Sequence, residues 1–101
     1  MKPANYGPVY AAAMYPELCE IFRKNGYALA VHGSLARDFD LIAIPWAEKV
    51  SSVEKVLKDV INYFAIEVIG SPENKNHGRI AYTISCGFGN CVIDLSFFPL
   101  T

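Results

Sequence analysis

Two aspartates, Asp38 and Asp40, follow closely on a Gly-Ser turn at Gly33-Ser34. The full run reads Gly33-Ser34-Leu35-Ala36-Arg37-Asp38-Phe39-Asp40-Leu41-Ile42-Ala43-Ile44. In an extended chain the two carboxylates point to one side, and Phe39 and Leu41 to the other. A third carboxylate, Asp94, stands in Val92-Ile93-Asp94-Leu95-Ser96, an apolar setting where an unpaired charge is costly. Three carboxylates converging at a sheet edge would suit Mg2+, a hard cation that takes oxygen ligands and phosphate oxygens. Two such ions can activate an attacking hydroxyl and stabilise a leaving pyrophosphate. Gly33 allows close backbone approach, and Ser34 can donate to a phosphate.

Cationic groups surround this stretch. His32 precedes Gly33, and an imidazole there could contact phosphate or transfer a proton. It could equally be a hydrogen-bonded histidine at a strand end. Arg37 could pair with Asp38 or meet a ligand. Arg79, in His77-Gly78-Arg79, has the fork geometry that suits phosphate, or it is a solvated loop cation. Neither Ser85 nor Ser96 has the His and acid pattern of a hydrolase triad. Trp46, Phe88 and Tyr6 are candidate exposed anchors, against the general tendency of aromatics to be core.

The elements that must position these groups follow from periodicity. Pro8 to Gly26 reads as helical in two pieces, with a restart at Tyr15-Pro16-Glu17 and a left-handed stop at Asn25-Gly26. Tyr27 to Val31 and Asp40 to Ile44 read as strands. Ser51-x-x-Glu54 reads as a capping box. Behind it Val53, Val56, Leu57, Val60, Ile61 and Phe64 fall on one helical face, which should lie on a sheet. Ile66 to Ile69 is a third strand, and Gly70 to His77 a polar loop. Gly78 to Ser85 and Cys91 to Phe98 form a hairpin across Gly87-Phe88-Gly89-Asn90. In its second strand Cys91, Ile93, Leu95 and Phe97 share one face, and Val92, Asp94 and Ser96 the other. The order α-β-β-α-β-β-β predicts one α+β domain over 1–101, a two-layer sandwich. Helices cover one face of a mixed, mostly antiparallel sheet.

Composition bounds the partners. With 101 residues, 52% hydrophobic and 19% charged, the chain can bury a modest core unaided. A net charge of -1 gives no field for duplex nucleic acid. The nearest basic cluster, Lys75-Asn76-His77-Gly78-Arg79, is enough for one small phosphate. No apolar run approaches the roughly 20 residues of a membrane span, and Met1-Lys2-Pro3-Ala4-Asn5 lacks a signal-peptide core. A cytoplasmic location follows as the expectation. Cys19, Cys86 and Cys91 then read as reduced thiols, although Cys86 and Cys91 could face each other across the hairpin.

The Gly33-Ser34-x-Ala36-Arg37 turn, the Asp38-x-Asp40-Leu41 pair and Asp94 among apolar residues resemble the nucleotidyltransferase superfamily. The resemblance implies a nucleotidyltransferase-like sheet. It implies that Gly33 and Ser34 grip a triphosphate and that Asp38, Asp40 and Asp94 hold metal and carry catalysis. That superfamily has a longer segment between Gly-Ser and the first Asp, where this chain has only Leu35, Ala36 and Arg37. The expectation is therefore a nucleotide- or phosphate-ligand-binding domain with little or no transferase activity. His32, Gly33, Ser34, Arg37 and Arg79 are its ligand contacts. An active minimal nucleotidyltransferase is one alternative. The chain also resembles a group of small bacteriophage and prophage proteins that share Val31-His32-Gly33-Ser34-Leu35-Ala36-Arg37-Asp38-Phe39-Asp40-Leu41. That likeness implies residence in a host cytoplasm. It leaves a second alternative, a non-catalytic accessory protein of anti-defence type that binds a host protein or sequesters a nucleotide signal. The small size favours a binder or a homo-oligomer over a self-sufficient enzyme.

Overall fold

Alternation along Phe39–Pro45 sets the layers: Phe39, Leu41 and Ala43 are buried, while Asp40, Ile42 and Ile44 face the other way. The computed structural model describes residues 7–85 and 92–99. Its elements are α1 (Gly7–Lys24), β1 (Tyr27–His32), β2 (Phe39–Pro45), α2 (Val53–Phe64), β3 (Glu67–Asn74), β4 (Ile80–Ser85) and β5 (Val92–Phe97). A short 3-10 turn, Asn76–Gly78, precedes β4. The strands form one sheet in the order β1-β2-β5-β4-β3. Among the described strands only the β2–β5 pair is parallel. Cys86, Cys91, the Gly87-to-Asn90 turn and Tyr6 lie outside the described residues.

Both helices cover one face. Met14, Leu18 and Phe22 of α1 and Val56, Leu57 and Val60 of α2 join Phe39, Leu41, Ile84, Ile93, Leu95 and Phe97 in one core. Phe22 stacks on Phe97 with ring centroids 6.0 Å apart, and Tyr27 meets Phe97 edge-on at 5.5 Å. The architecture is the expected α+β arrangement of two helices on a mixed, mostly antiparallel sheet. Among the described residues no helix is long and apolar enough to cross a membrane.

Four local expectations are corrected. The first helix is continuous, with Pro16 inside it. Pro16 lacks the N–H for its turn, but it is exposed, and the apolar stripe Met14, Leu18, Phe22 runs on past it. Packing of that stripe on the sheet outweighs one missing hydrogen bond. The cap of α2 is Ser52, whose Oγ accepts from the Lys55 N–H at 3.2 Å, so Ser51 stands one residue outside. The third strand extends to Asn74, through the segment expected to be loop. It does so at a sheet edge, with a register shift between Ile69 and Glu73 that accommodates Pro72. The fourth strand begins at Ile80, because Gly78, at φ +75°, is still in the turn.

The junction after α1 fixes where β1 starts. Gly26 has φ +91°, and a Cβ there would stand 2.7 Å from the Lys49 carbonyl. Buried Asn25 donates to Ile21 O at 2.8 Å and to Asp59 Oδ2 at 3.1 Å, tying α1 to α2. Its carbonyl accepts from the Ser51 N–H at 2.9 Å.

Candidate functional site

On the face away from the helices, one row of residues crosses the sheet. His32 is the register partner of Asp40, Asp40 of Asp94, and Asp94 of Thr83. The two carboxylates therefore stand side by side on adjacent parallel strands, on the same face. That convergence satisfies the alternation expected for β2 and β5. Burial raises the Asp40 carboxyl above its ordinary range. The Asp94 charge raises it further, the His32 side chain offsets part of the effect, and Asp38 adds to it.

Gly33 follows β1 beside this row with φ +77°. A Cβ on it would stand 2.3 Å from Asp40 Oδ2. The glycine thus makes room for the Asp40 carboxylate, a role distinct from the expected close approach to a ligand. The turn continues through Ser34, whose Oγ accepts from the Ala36 N–H at 3.3 Å, and through Leu35 at φ +56°. A hydroxyl that accepts in this way still has its proton to donate. Leu35 is half-buried against the core, which anchors the turn from below.

Asp38 serves the frame as well. Its Oδ1 accepts from the Val92 N–H at 3.3 Å, bracing the start of β5 against β2. Arg37 is exposed and makes no ion pair among the described residues, so the alternative in which it compensates Asp38 is not what the structure shows. The Nε2 atom of His32 is buried without a hydrogen-bond partner. Such a group costs about 1–3 kcal/mol unless a ligand atom or ordered water meets it.

Arg79 shares the open face but stands apart from the acids. Its Nη1 donates to Ser96 Oγ at 3.5 Å, its Nε to Asn76 O at 3.3 Å, and its guanidinium lies 5.9 Å from the Phe98 ring centroid. Ser96 is two residues from Asp94, about 7 Å along the strand. Arg79 thus flanks the row through its hydrogen bond to buried Ser96. Thr83 is the neighbour that sequence reasoning missed: strand order decides which residue stands beside Asp94, and one strand's pattern carries no sign of it.

The donor set bears on the cation. Among the described residues no three His, Cys, Asp or Glu side chains stand together as a ready cage. Magnesium is ordinarily held by one or two carboxylates together with ligand phosphates and water. Asp40 and Asp94, in register on adjacent strands, supply the two carboxylates of that mode.

The Asp40 shift gives a stability test. In the native state this carboxyl holds its proton to higher pH than in the unfolded chain. Its ionisation therefore removes stability as pH rises through the native value. Asp40→Asn should melt higher than the wild type at pH 7 without metal. The gain should vanish below about pH 4, where the unfolded carboxyl is protonated too. Melting curves across pH 3–8 check this, and a lower Tm for the variant at neutral pH would contradict it.

Set against known proteins, the chain matches no family model, no curated protein and no solved structure.

Proposed function

We propose that the open face binds a phosphate-bearing ligand, a nucleotide or smaller phosphate, together with a divalent cation, and carries out little or no nucleotidyl transfer. The observation that supports this most is the Asp40–Asp94 pair, two like charges in register with no cationic ion-pair partner among the described residues. Such a pair lowers stability unless something positive joins it. When bound, magnesium would supply positive charge that offsets the two carboxylates and attracts a phosphate. Asp40 and Asp94 would hold it. Ser34 has a hydroxyl proton to offer a phosphate oxygen, and Arg37 is an exposed cation on the same turn. Two features speak against transfer: the short Leu35-Ala36-Arg37 connection, and Asp38, one of whose oxygens is engaged by Val92.

The test is calorimetry with mono-, tri- and cyclic nucleotides, inorganic phosphate and pyrophosphate, each with Mg2+ or Mn2+ and with chelator. A pyrophosphate-release assay runs beside it. The expected result is cation-dependent binding that is lost in Asp94→Ala, with release at background. Robust release that disappears in Asp40→Ala would establish catalysis instead. Silence in both assays would favour the protein-binding alternative. Exposed Trp46, at 66%, with Ile44 and Phe98 in a groove beside it, would then be the first surface to probe.

A further inference from the structure

The sheet has two edges, and they are built differently. The outer strand β3 carries a register shift, Pro72, and the charges of Glu67 and Glu73. These are the devices by which natural sheets refuse a further strand. The other outer strand, β1, is Tyr27-Ala28-Leu29-Ala30-Val31-His32, without proline, bulge or fixed charge, and with Ala28, Ala30 and Val31 exposed. An apolar edge of this kind is a template for another strand.

Which β1 groups face outward follows from the hydrogen bonds. The Ala43 carbonyl accepts from the Phe98 N–H at 3.0 Å, so Ala43 directs its backbone toward β5 and away from β1. Its register partner, Leu29, must then direct its own N–H and C=O away from β2. Tyr27 and Val31, two residues to either side, do the same. At the middle of this outward set, the Tyr15 hydroxyl of α1 donates to the Leu29 carbonyl at 2.7 Å. The Tyr15 ring is held edge-on against Phe39, centroids 6.2 Å apart, which aims the hydroxyl at the edge.

We propose that Tyr15 is a latch on an edge that otherwise pairs, antiparallel, with β1 of a second copy of this chain. Leu29 lies at the centre of the outward set, so an antiparallel β1–β1 pair places Leu29 against Leu29, with Tyr27 against Val31 on either side. The acceptor at the dyad is the one that the Tyr15 hydroxyl occupies. A second copy is the fitting occupant because the edge is self-complementary. The strand itself carries no fixed charge to repel its own image, and β3 of another copy cannot serve in its place. The pairing is isologous, so it closes as a dimer and does not propagate into a fibre.

Sedimentation velocity over a hundredfold concentration range tests the latch. The wild type should remain monomeric. Tyr15→Phe keeps the ring in the core but frees the Leu29 carbonyl, and should dimerise with an affinity at least tenfold above that of the wild type. Adding Val31→Pro removes an outward N–H that β2 does not use, and should restore the monomer. In the dimer the Leu29 and Val31 amides should exchange hydrogen more slowly than in the monomer, a reading that does not depend on equal stability of the variants. A Tyr15→Phe protein that is folded by circular dichroism yet monomeric throughout would overturn the proposal. So would a wild type that is already a dimer, or an assembly that Val31→Pro leaves intact.

Discussion

Gly33→Ala is expected to lower the melting temperature by roughly 5–15 °C and to abolish any stabilisation by Mg2+ or Mn2+. Two effects act together. At φ +77° an alanine is in the left-handed region, which costs about 1–2 kcal/mol. In a domain of this size each kcal/mol is worth roughly 4–8 °C. The new Cβ would also stand 2.3 Å from Asp40 Oδ2, so the carboxylate must leave its present seat beside Gly33. Gly33→Asn separates the two effects. Asparagine tolerates positive φ but still carries a Cβ, so it should recover part of the melting temperature and none of the cation response. Melting curves with chelator and with excess cation provide the measurement. A full cation response in Gly33→Ala would mean that Asp40 is not the group through which metal acts.

Phe39→Ala should cost about 3–5 kcal/mol, a large part of the 5–15 kcal/mol that holds a typical domain together. Phe39 is fully buried, and it stands between Asp38 and Asp40 in the chain. Its side chain drives β2 onto the helices, and that anchorage turns Asp40 to the open face. Phe39→Leu, which keeps most of the volume, should cost about 1.5 kcal/mol or less. Urea titrations followed by circular dichroism would measure both. A loss below 1 kcal/mol for the alanine variant would show that the β2 anchor is not where the core places it.

What the residues revealed beforehand was governed by period. The stripe Val53, Val56, Leu57, Val60, Ile61, Phe64 was legible as α2 because amphipathic spacing and burial agree there. Alternation likewise put Asp40 and Asp94 on the face opposite Phe39, Leu41, Ile93 and Leu95. That Asp40 and Asp94 are immediate neighbours could not be read locally, since it depends on β5 pairing with β2. The same holds for Thr83. Pro16 misled as a local breaker that a packed helix face overrules, and the polar stretch from Gly70 misled because an exposed edge strand with a register shift tolerates polar residues. The seating of the Asp40 carboxylate against Gly33 was hidden because a glycine's value lies in what fills the space it leaves.

The parallel pairing of β2 with β5 also dictates when the acid row can exist. β1 with β2, and β3 with β4, are neighbours in sequence and can each form as a hairpin after a short loop closure. β5 is likewise the sequence neighbour of β4, so the long-range step is its pairing with β2, which closes a loop that contains α2, β3 and β4. Long closures are entropically slower than local ones. Until β5 docks on β2, those two strands each present an unpaired flank, and Asp40 and Asp94 belong to separate parts of the chain. Completion of the sheet and creation of the carboxylate pair are therefore a single event. During refolding, a cation-sensitive signal from the row would lag behind hairpin formation and would report the docking of β5 on β2.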